Sequence, residues 1–168
     1  MQSKFIVTAA GVFMAVIVAA CGSASPSGTA ASPSPVATQS PIPPVVAGET
    51  IKVATDAKLG TILVDEDGKT LYLFVADKGT ASTCYTSCAT IWPPVLTTGA
   101  PQAGTGATAS LLGTTTRTDG KVQVTYAGHP LYYFVQDKKA GDTTGQGVDG
   151  FGGLWWVLSP SGAAITTK

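Results

Sequence analysis

Charge and histidine are what this chain has least of. Only 12% of its 168 residues are charged, ten basic against ten acidic, and His129 is its one histidine. A zero net charge excludes the electrostatic footprint of a nucleic-acid binder or of a basic membrane patch. With a single histidine, no Ser/His/Asp arrangement is marked: the serines lack a nucleophile elbow, and His129 has no evident partner. Cysteine is scarce as well, at positions 21, 84 and 88, too few thiolates for an ordinary zinc site. No Gly-Lys-Ser/Thr closes the glycine-dense stretch 141–153, which rules out a P-loop. Helical periodicity is scarce after residue 50. These absences point away from an enzyme and away from any resident cofactor, and a hydrolase is the weakest reading.

The N-terminus has the form of a targeting segment. Lys4 gives a minimal positive region, and Phe5 to Ala20 is an uncharged apolar run of about 16 residues, suited to a signal core and short for a bilayer span. It ends in Val18-Ala19-Ala20-Cys21. Small residues before a cysteine have the pattern of a bacterial lipobox, so residues 1–21 are expected to be a lipoprotein signal whose Cys21 carries lipid on the extracytoplasmic side of the membrane. Residues 22–48 are low-complexity, rich in Ser, Pro, Ala, Thr and Gly, with no charge at all. Such a segment buries too little apolar surface to offset chain entropy and is expected to be a disordered tether.

The remainder, 49–168, writes one pattern twice. Tyr72-Leu73-Phe74-Val75-Ala76-Asp77 and Tyr132-Tyr133-Phe134-Val135-Gln136-Asp137 both read Tyr-x-Phe-x-x-Asp, each with Leu before it and Lys after it. Upstream stand Leu59-Gly60-Thr61 and Leu112-Gly113-Thr114, then Asp67-Gly68-Lys69 and Asp119-Gly120-Lys121. Repeat one is placed at about 50–96 and repeat two at about 110–166, with 97–109 as a linker between them. Short β-prone runs punctuated by Asp-Gly, Ala-Gly and Pro-Ser-Gly turns predict an all-β fold with one short helix within 83–91. Two antiparallel hairpin or meander units should pack into one domain, because one such unit alone buries too little.

Strand alternation puts Tyr72 and Phe74 on one face and Leu71, Leu73 and Val75 on the other. The pattern is therefore expected to be structural, with aromatics in the core and Asp77 and Asp137 accepting backbone N–H groups in Asx-type turns. The functional alternative brings both Tyr and both Asp together at a symmetry axis around a small polar site.

Outside the cytosol, Cys84 and Cys88 form an even pair whose helical spacing permits a disulfide. A redox couple is the lesser reading, since the spacing is not Cys-x-x-Cys, and copper(I) between these thiolates and His129 is a further one. His129, at a Gly-His-Pro turn, reads first as a turn residue. Asp142 and Asp149 in the glycine-rich stretch are candidate calcium ligands without EF-hand spacing. The favoured role of that stretch is a tight loop passing close to Trp155 and Trp156. One of these tryptophans should face the core and the other solvent, the exposed one being a candidate surface for sugar or polymer.

A lipobox, a Ser/Pro tether and two Leu-Gly-Thr…Tyr-x-Phe-x-x-Asp units, with Cys84-x3-Cys88 and Ile91-Trp92-Pro93-Pro94 after the first and a Gly-rich run into Trp155-Trp156 after the second, resemble the bacterial secreted-repeat lipoproteins that carry a Tyr-x-(Phe/Trp/Tyr)-x-x-Asp motif. That family is described as having unknown function. The resemblance implies the lipoprotein class and the duplication and supplies no catalytic residues. The expected partners are the membrane, through Cys21, and an envelope protein, glycan or small ligand. The runner-up is an envelope ligand-, metal- or redox-binding module.

Overall fold

The computed structural model describes residues 47–167; the expected signal segment, Cys21 and the tether up to residue 46 lie outside the described residues. Strand β1 (Ala47–Asp56) turns into β2 (Gly60–Asp65) at an Asx turn, in which Asp56 Oδ1 accepts the N–H groups of Lys58 and Leu59 at 2.8 and 2.7 Å. A second carboxylate turn follows: Asp65 Oδ1 accepts from the N–H groups of Asp67 and Lys69, and the chain enters β3 (Tyr72–Phe74). Helix α1 (Ser87–Ile91) stops before Pro93-Pro94, as the proline pair requires. After it come β4 (Ala100–Ala103), a 3-10 turn at Ala109–Leu111, β5 (Leu112–Thr116), β6 (Val122–Tyr126), β7 (His129–Pro130), β8 (Asp149–Gly150) and β9 (Gly153–Val157).

These strands form three three-stranded sheets, ordered β2-β1-β4, β3-β9-β8 and β5-β6-β7. All pairings are antiparallel except β1 with β4. The segment 97–109 is therefore more than a linker, because its β4 adds a parallel strand to repeat one. The tail of repeat two is correspondingly shorter than its apolar run suggested: β7 spans two residues, and Tyr132 continues only as isolated bridges to Tyr72 and Pro94.

The duplication is visible in the backbone hydrogen bonds. Leu71 N–H donates to Leu63 O at 3.1 Å, and Leu131 N–H donates to Val124 O at 3.0 Å; Leu63 N–H reaches Leu158 O, and Val124 N–H reaches Val95 O. The repeats interlock. The Tyr strand of repeat one, β3, pairs with the Trp strand of repeat two, Tyr72 opposite Val157 and Phe74 opposite Trp155. The Tyr segment of repeat two pairs with the Trp segment of repeat one, through Tyr133 N–H to Pro93 O at 2.8 Å and Val135 N–H to Ile91 O at 3.0 Å. Between them, Tyr72 and Tyr132 exchange both backbone bonds, at 2.9 and 3.0 Å, so a pseudo-two-fold axis passes between these two residues.

Two buried clusters lie on opposite faces of these central strands. One holds Tyr72, Phe74, Trp92, Tyr132, Phe134 and Trp155; the other holds Leu71, Leu73, Leu131, Trp156 and Leu158. The predicted alternation of 71–74 is thus observed, but Val75 lies past the strand end and is half exposed. In the first cluster four rings stack in a column, Phe74 on Trp155 at 4.0 Å, Trp155 on Trp92 at 4.0 Å and Trp92 on Phe134 at 4.2 Å. Tyr72 meets Trp92 edge-on at 5.4 Å, and Tyr132 meets Trp155 edge-on at 5.1 Å. Each tryptophan therefore stacks on the phenylalanine of the other repeat, and the two tryptophans meet at the axis.

The expectation of one inward and one outward tryptophan is overturned: Trp155 is 0% and Trp156 7% exposed, because both faces of β9 are covered. No exposed tryptophan remains for a sugar surface among the described residues. The glycine-rich loop does pass close to Trp155, whose carbonyl accepts the Gly147 N–H at 2.9 Å and whose ring N–H donates to Gly150 O at 3.2 Å, and it also packs on two further aromatics: a Cβ at Gly145 would lie 2.8 Å from Trp92 and 2.9 Å from Tyr72. Since Trp92 holds the middle of the column, Trp92→Ala should destabilise the fold by about 3–5 kcal/mol, read from denaturant midpoints at unchanged m-value.

Candidate functional site

The two Tyr-x-Phe-x-x-Asp motifs meet at the axis and exchange partners. Tyr72 Oη donates to Asp137 Oδ2 at 2.6 Å, and Tyr132 Oη donates to Asp77 Oδ2 at 2.7 Å. The other carboxylate oxygen binds a threonine further along its own repeat. Asp77 Oδ1 accepts from the Thr83 N–H and hydroxyl, both at 2.7 Å, and Asp137 Oδ1 accepts from the Thr144 N–H at 3.0 Å and hydroxyl at 2.5 Å. The aspartates thus close loops of six and seven residues rather than the tight turns expected of them, and each ties its loop to the opposite repeat. The convergence of both Tyr and both Asp, the alternative in the sequence reading, is what the fold builds. These contacts use all four carboxylate oxygens and both phenol protons.

Each phenol oxygen also accepts one bond, and here the repeats differ. Tyr72 Oη accepts from the Gly145 N–H at 3.2 Å. Tyr132 Oη lies 2.8 Å from Ser82 Oγ; because the phenol's one proton goes to Asp77, the serine supplies the proton of this bond. Ser82 Oγ in turn accepts from Arg117 Nη1 at 2.8 Å, so a chain of charge-assisted bonds runs from the guanidinium through Ser82 and Tyr132 to the Asp77 carboxylate. Arg117 is 3% exposed and also donates to Gln123 Oε1 at 2.6 Å and Cys84 O at 2.7 Å, while its plane lies 4.3 Å from the Tyr85 ring. Its Nε has no hydrogen bond among the described residues, with the Asp119 carboxylate 3.7 Å away. Sequence reasoning missed Arg117. The available signal was that it is the one arginine beside nine lysines, and a buried fork of donors is where lysine does not substitute.

Burial first, and then donation to Asp137, push the Tyr72 phenol far above its ordinary range. For Tyr132, burial raises the phenol and Ser82 opposes it, with Asp77 adding to the rise. Tyr133 is raised as well, by burial and by the charges of Asp65 and Glu49. None of these phenols is poised to lose its proton near neutral pH.

The remaining candidates are dispersed. Cys84 and Cys88 form a disulfide with Cα atoms 5.2 Å apart, buried at 0% and 5% exposure. In this bridge neither sulfur is a free thiolate of the kind copper(I) would need, and the burial does not suit a redox couple. His129 follows a two-residue turn with positive φ at Ala127 and Gly128, and with Asp77 it lines a small cavity of about 280 Å³ whose other walls include Leu73, Phe74 and Ala164. Asp142 Oδ2 accepts the Lys138 and Lys139 N–H groups, and Asp149 lies exposed in β8. No group of three or more His, Cys, Asp or Glu that could hold a metal occurs among the described residues. Phe151, at the positive-φ tip of the β8–β9 hairpin, is the exposed aromatic among the described residues, at 48%.

A family described as a secreted repeat of unknown function matches the chain twice, at residues 53–96 and 113–159, and each match contains one Tyr–Asp motif and one column tryptophan. No curated protein and no solved structure matches.

Two outcomes follow from the exchange of partners. Tyr132→Phe leaves Asp77 and Ser82 short of a buried partner and should cost about 2 kcal/mol. In a double-mutant cycle with Asp77→Asn its effect should be non-additive by about 1 kcal/mol or more. The phenol pKa values raised above the ordinary 10.0 make the locks fully stabilising below pH 10, with that stability lost as pH rises towards the folded values. In an alkaline titration followed by tyrosinate absorbance, Tyr85 should ionise first, since its pKa is lowered. Tyr72, Tyr132 and Tyr133 should ionise only together with unfolding.

Proposed function

The chain belongs to the family of secreted repeats of unknown function, and on that premise we propose that its two-repeat body is a non-enzymatic binding module, held on the extracytoplasmic face of a membrane by lipid on Cys21. The observation that carries the non-enzymatic half is the saturation of the repeat motif. Both carboxylates and both phenols at the axis are spent on each other and on Thr83, Thr144, Ser82 and Gly145, and the phenols are pushed away from acid–base work at neutral pH. A general acid or base needs the opposite, a proton free to move and a pKa near the working pH.

The buried disulfide supports a location outside the reducing cytosol, in keeping with a secreted family. The anchor rests on Val18-Ala19-Ala20-Cys21 after an apolar run. One acyl chain gives marginal attachment at about 0.8 kcal/mol per buried methylene, and the two or three chains of a lipidated amino-terminal cysteine give stable attachment. The partner is then an envelope protein, glycan or small ligand met at the membrane surface.

The test is metabolic labelling with a fatty acid followed by detergent phase partition. The native chain should incorporate label and enter the detergent phase, and Cys21→Ser should lose both. Unlabelled native protein, or a Cys21→Ser variant that stays with the membrane, would overturn the anchor.

A further inference from the structure

A cavity of about 650 Å³ opens beside the start of β1, between the β2–β3 turn and the segments around Leu96 and Val122. Its size is that of a small-ligand site, and neither the repeat motif nor the aromatic column uses it. Three charged side chains line it, Glu49, Glu66 and Lys121. None of the three has an ion-pair partner within 4.0 Å among the described residues, where the pairs found are Lys69 with Asp67 and Arg117 with Asp119. Lys52 reaches the backbone oxygen of Glu66 rather than its carboxylate, and Glu49 Oε1 receives a hydroxyl bond from Tyr133 at 3.3 Å.

The apolar part of the lining is aliphatic. Leu96 and Val122 are 38% and 37% exposed, among the most open large hydrophobic side chains of the body, and both face this cavity. Their segments are held together by the Thr97 N–H to Val122 O bond at 3.0 Å. Thr97 Oγ1 also accepts the Glu49 N–H at 3.1 Å and donates to Gly99 O at 2.7 Å, which fixes the acidic residue at the same cavity as the aliphatic pair. The site is thus built by backbone and side-chain bonds before any ligand arrives.

We propose that this cavity binds a small zwitterion with an aliphatic body, an amino acid or short peptide with free termini. Glu49 and Glu66 receive the ammonium group, Lys121 the carboxylate, and Leu96 with Val122 the aliphatic side chain. Unpaired charges of both signs in one cavity favour a ligand that carries both; a simple amine would leave Lys121 unanswered, and the aliphatic wall offers no aromatic face for a sugar ring. Burial and the neighbouring charge of Asp65 hold the Glu49 carboxyl above its usual range, a field that a bound ammonium group relieves.

The inference rests on the binding reading of the module. Calorimetric titration of the full-length chain with dileucine, N-acetyl-dileucine and dileucine amide tests it, with thermal unfolding as the check on folding of each variant. Dileucine should bind, and blocking either terminus should weaken it by about tenfold. Glu49→Gln should weaken dileucine by a similar factor while leaving the acetylated form unchanged, and Lys121→Ala should do the same with respect to the amide. No dileucine binding, blocked forms that bind as tightly as dileucine itself, or indifference to both substitutions in folded protein would overturn the zwitterion site. The lipid anchor stands or falls separately, on the Cys21 labelling.

Discussion

The hydrogen bond between a tyrosine of one repeat and an aspartate of the other is the interaction on which the rest of the body depends. Made once, Tyr72 to Asp137, it would pin a loop; made reciprocally, with Tyr132 to Asp77, it relates the two halves by a two-fold axis. A buried phenol needs a partner, and a carboxylate is a strong one because the bond is charge-assisted. The spacing of the motif follows from this requirement. Tyrosine and phenylalanine two apart share the inward face of a strand, and aspartate three further on falls beyond the strand end, where it reaches the opposite phenol and its own Thr loop.

The aromatic column carries the same exchange into the core. Phe74 lies on Trp155 and Phe134 on Trp92, so each stacked pair draws one ring from each repeat, and the two tryptophans close the column at the axis. Backbone pairing runs the same way, each Tyr segment beside the other repeat's Trp segment. A single repeat would expose one ring of every stacked pair and leave its tyrosine and aspartate without partners. Neither half has a complete core, which is the physical reason for the duplication: it supplies within one chain the second copy that each half needs.

Much of this was legible in the residues. The two motifs and the split of 71–74 between two faces follow from period-two alternation, and the Cys84–Cys88 bridge follows from parity and spacing. What was not legible is pairing between elements far apart in sequence. Alternation predicts one outward tryptophan, and Trp156 is buried only because a second apolar cluster covers that face. Asp77 looks like a turn residue until Tyr132 is placed beside it. Arg117 stands at the end of a Thr-rich run just before the Thr118-Asp119-Gly120 turn, where no local pattern marks burial, and its burial depends on Ser82, Cys84 and Gln123 arriving from elsewhere. Local pattern carries the strands and their faces, whereas partner choice across the axis is a tertiary fact.

The asymmetry between the halves shows which part of the lock is fixed and which is free. Both phenol oxygens must accept a bond as well as donate one, and the two repeats meet that need with different chemistry. Repeat two uses backbone: Gly145 brings its N–H to Tyr72, and the absent Cβ is what allows the approach, since one placed there would lie within 3 Å of Tyr72 and Trp92. The lock at Tyr132 uses side chains: Ser82 of repeat one meets Tyr132, Arg117 of repeat two holds Ser82, and the same guanidinium grips the carbonyl of Cys84, which the disulfide ties to α1 and so to Trp92. The loop that lacks a glycine backbone contact therefore acquires a cation and a covalent clamp in its place. The Tyr–Asp bond is common to both repeats because neither core closes without it, and the loops around it diverge because any second donor satisfies the phenol oxygen.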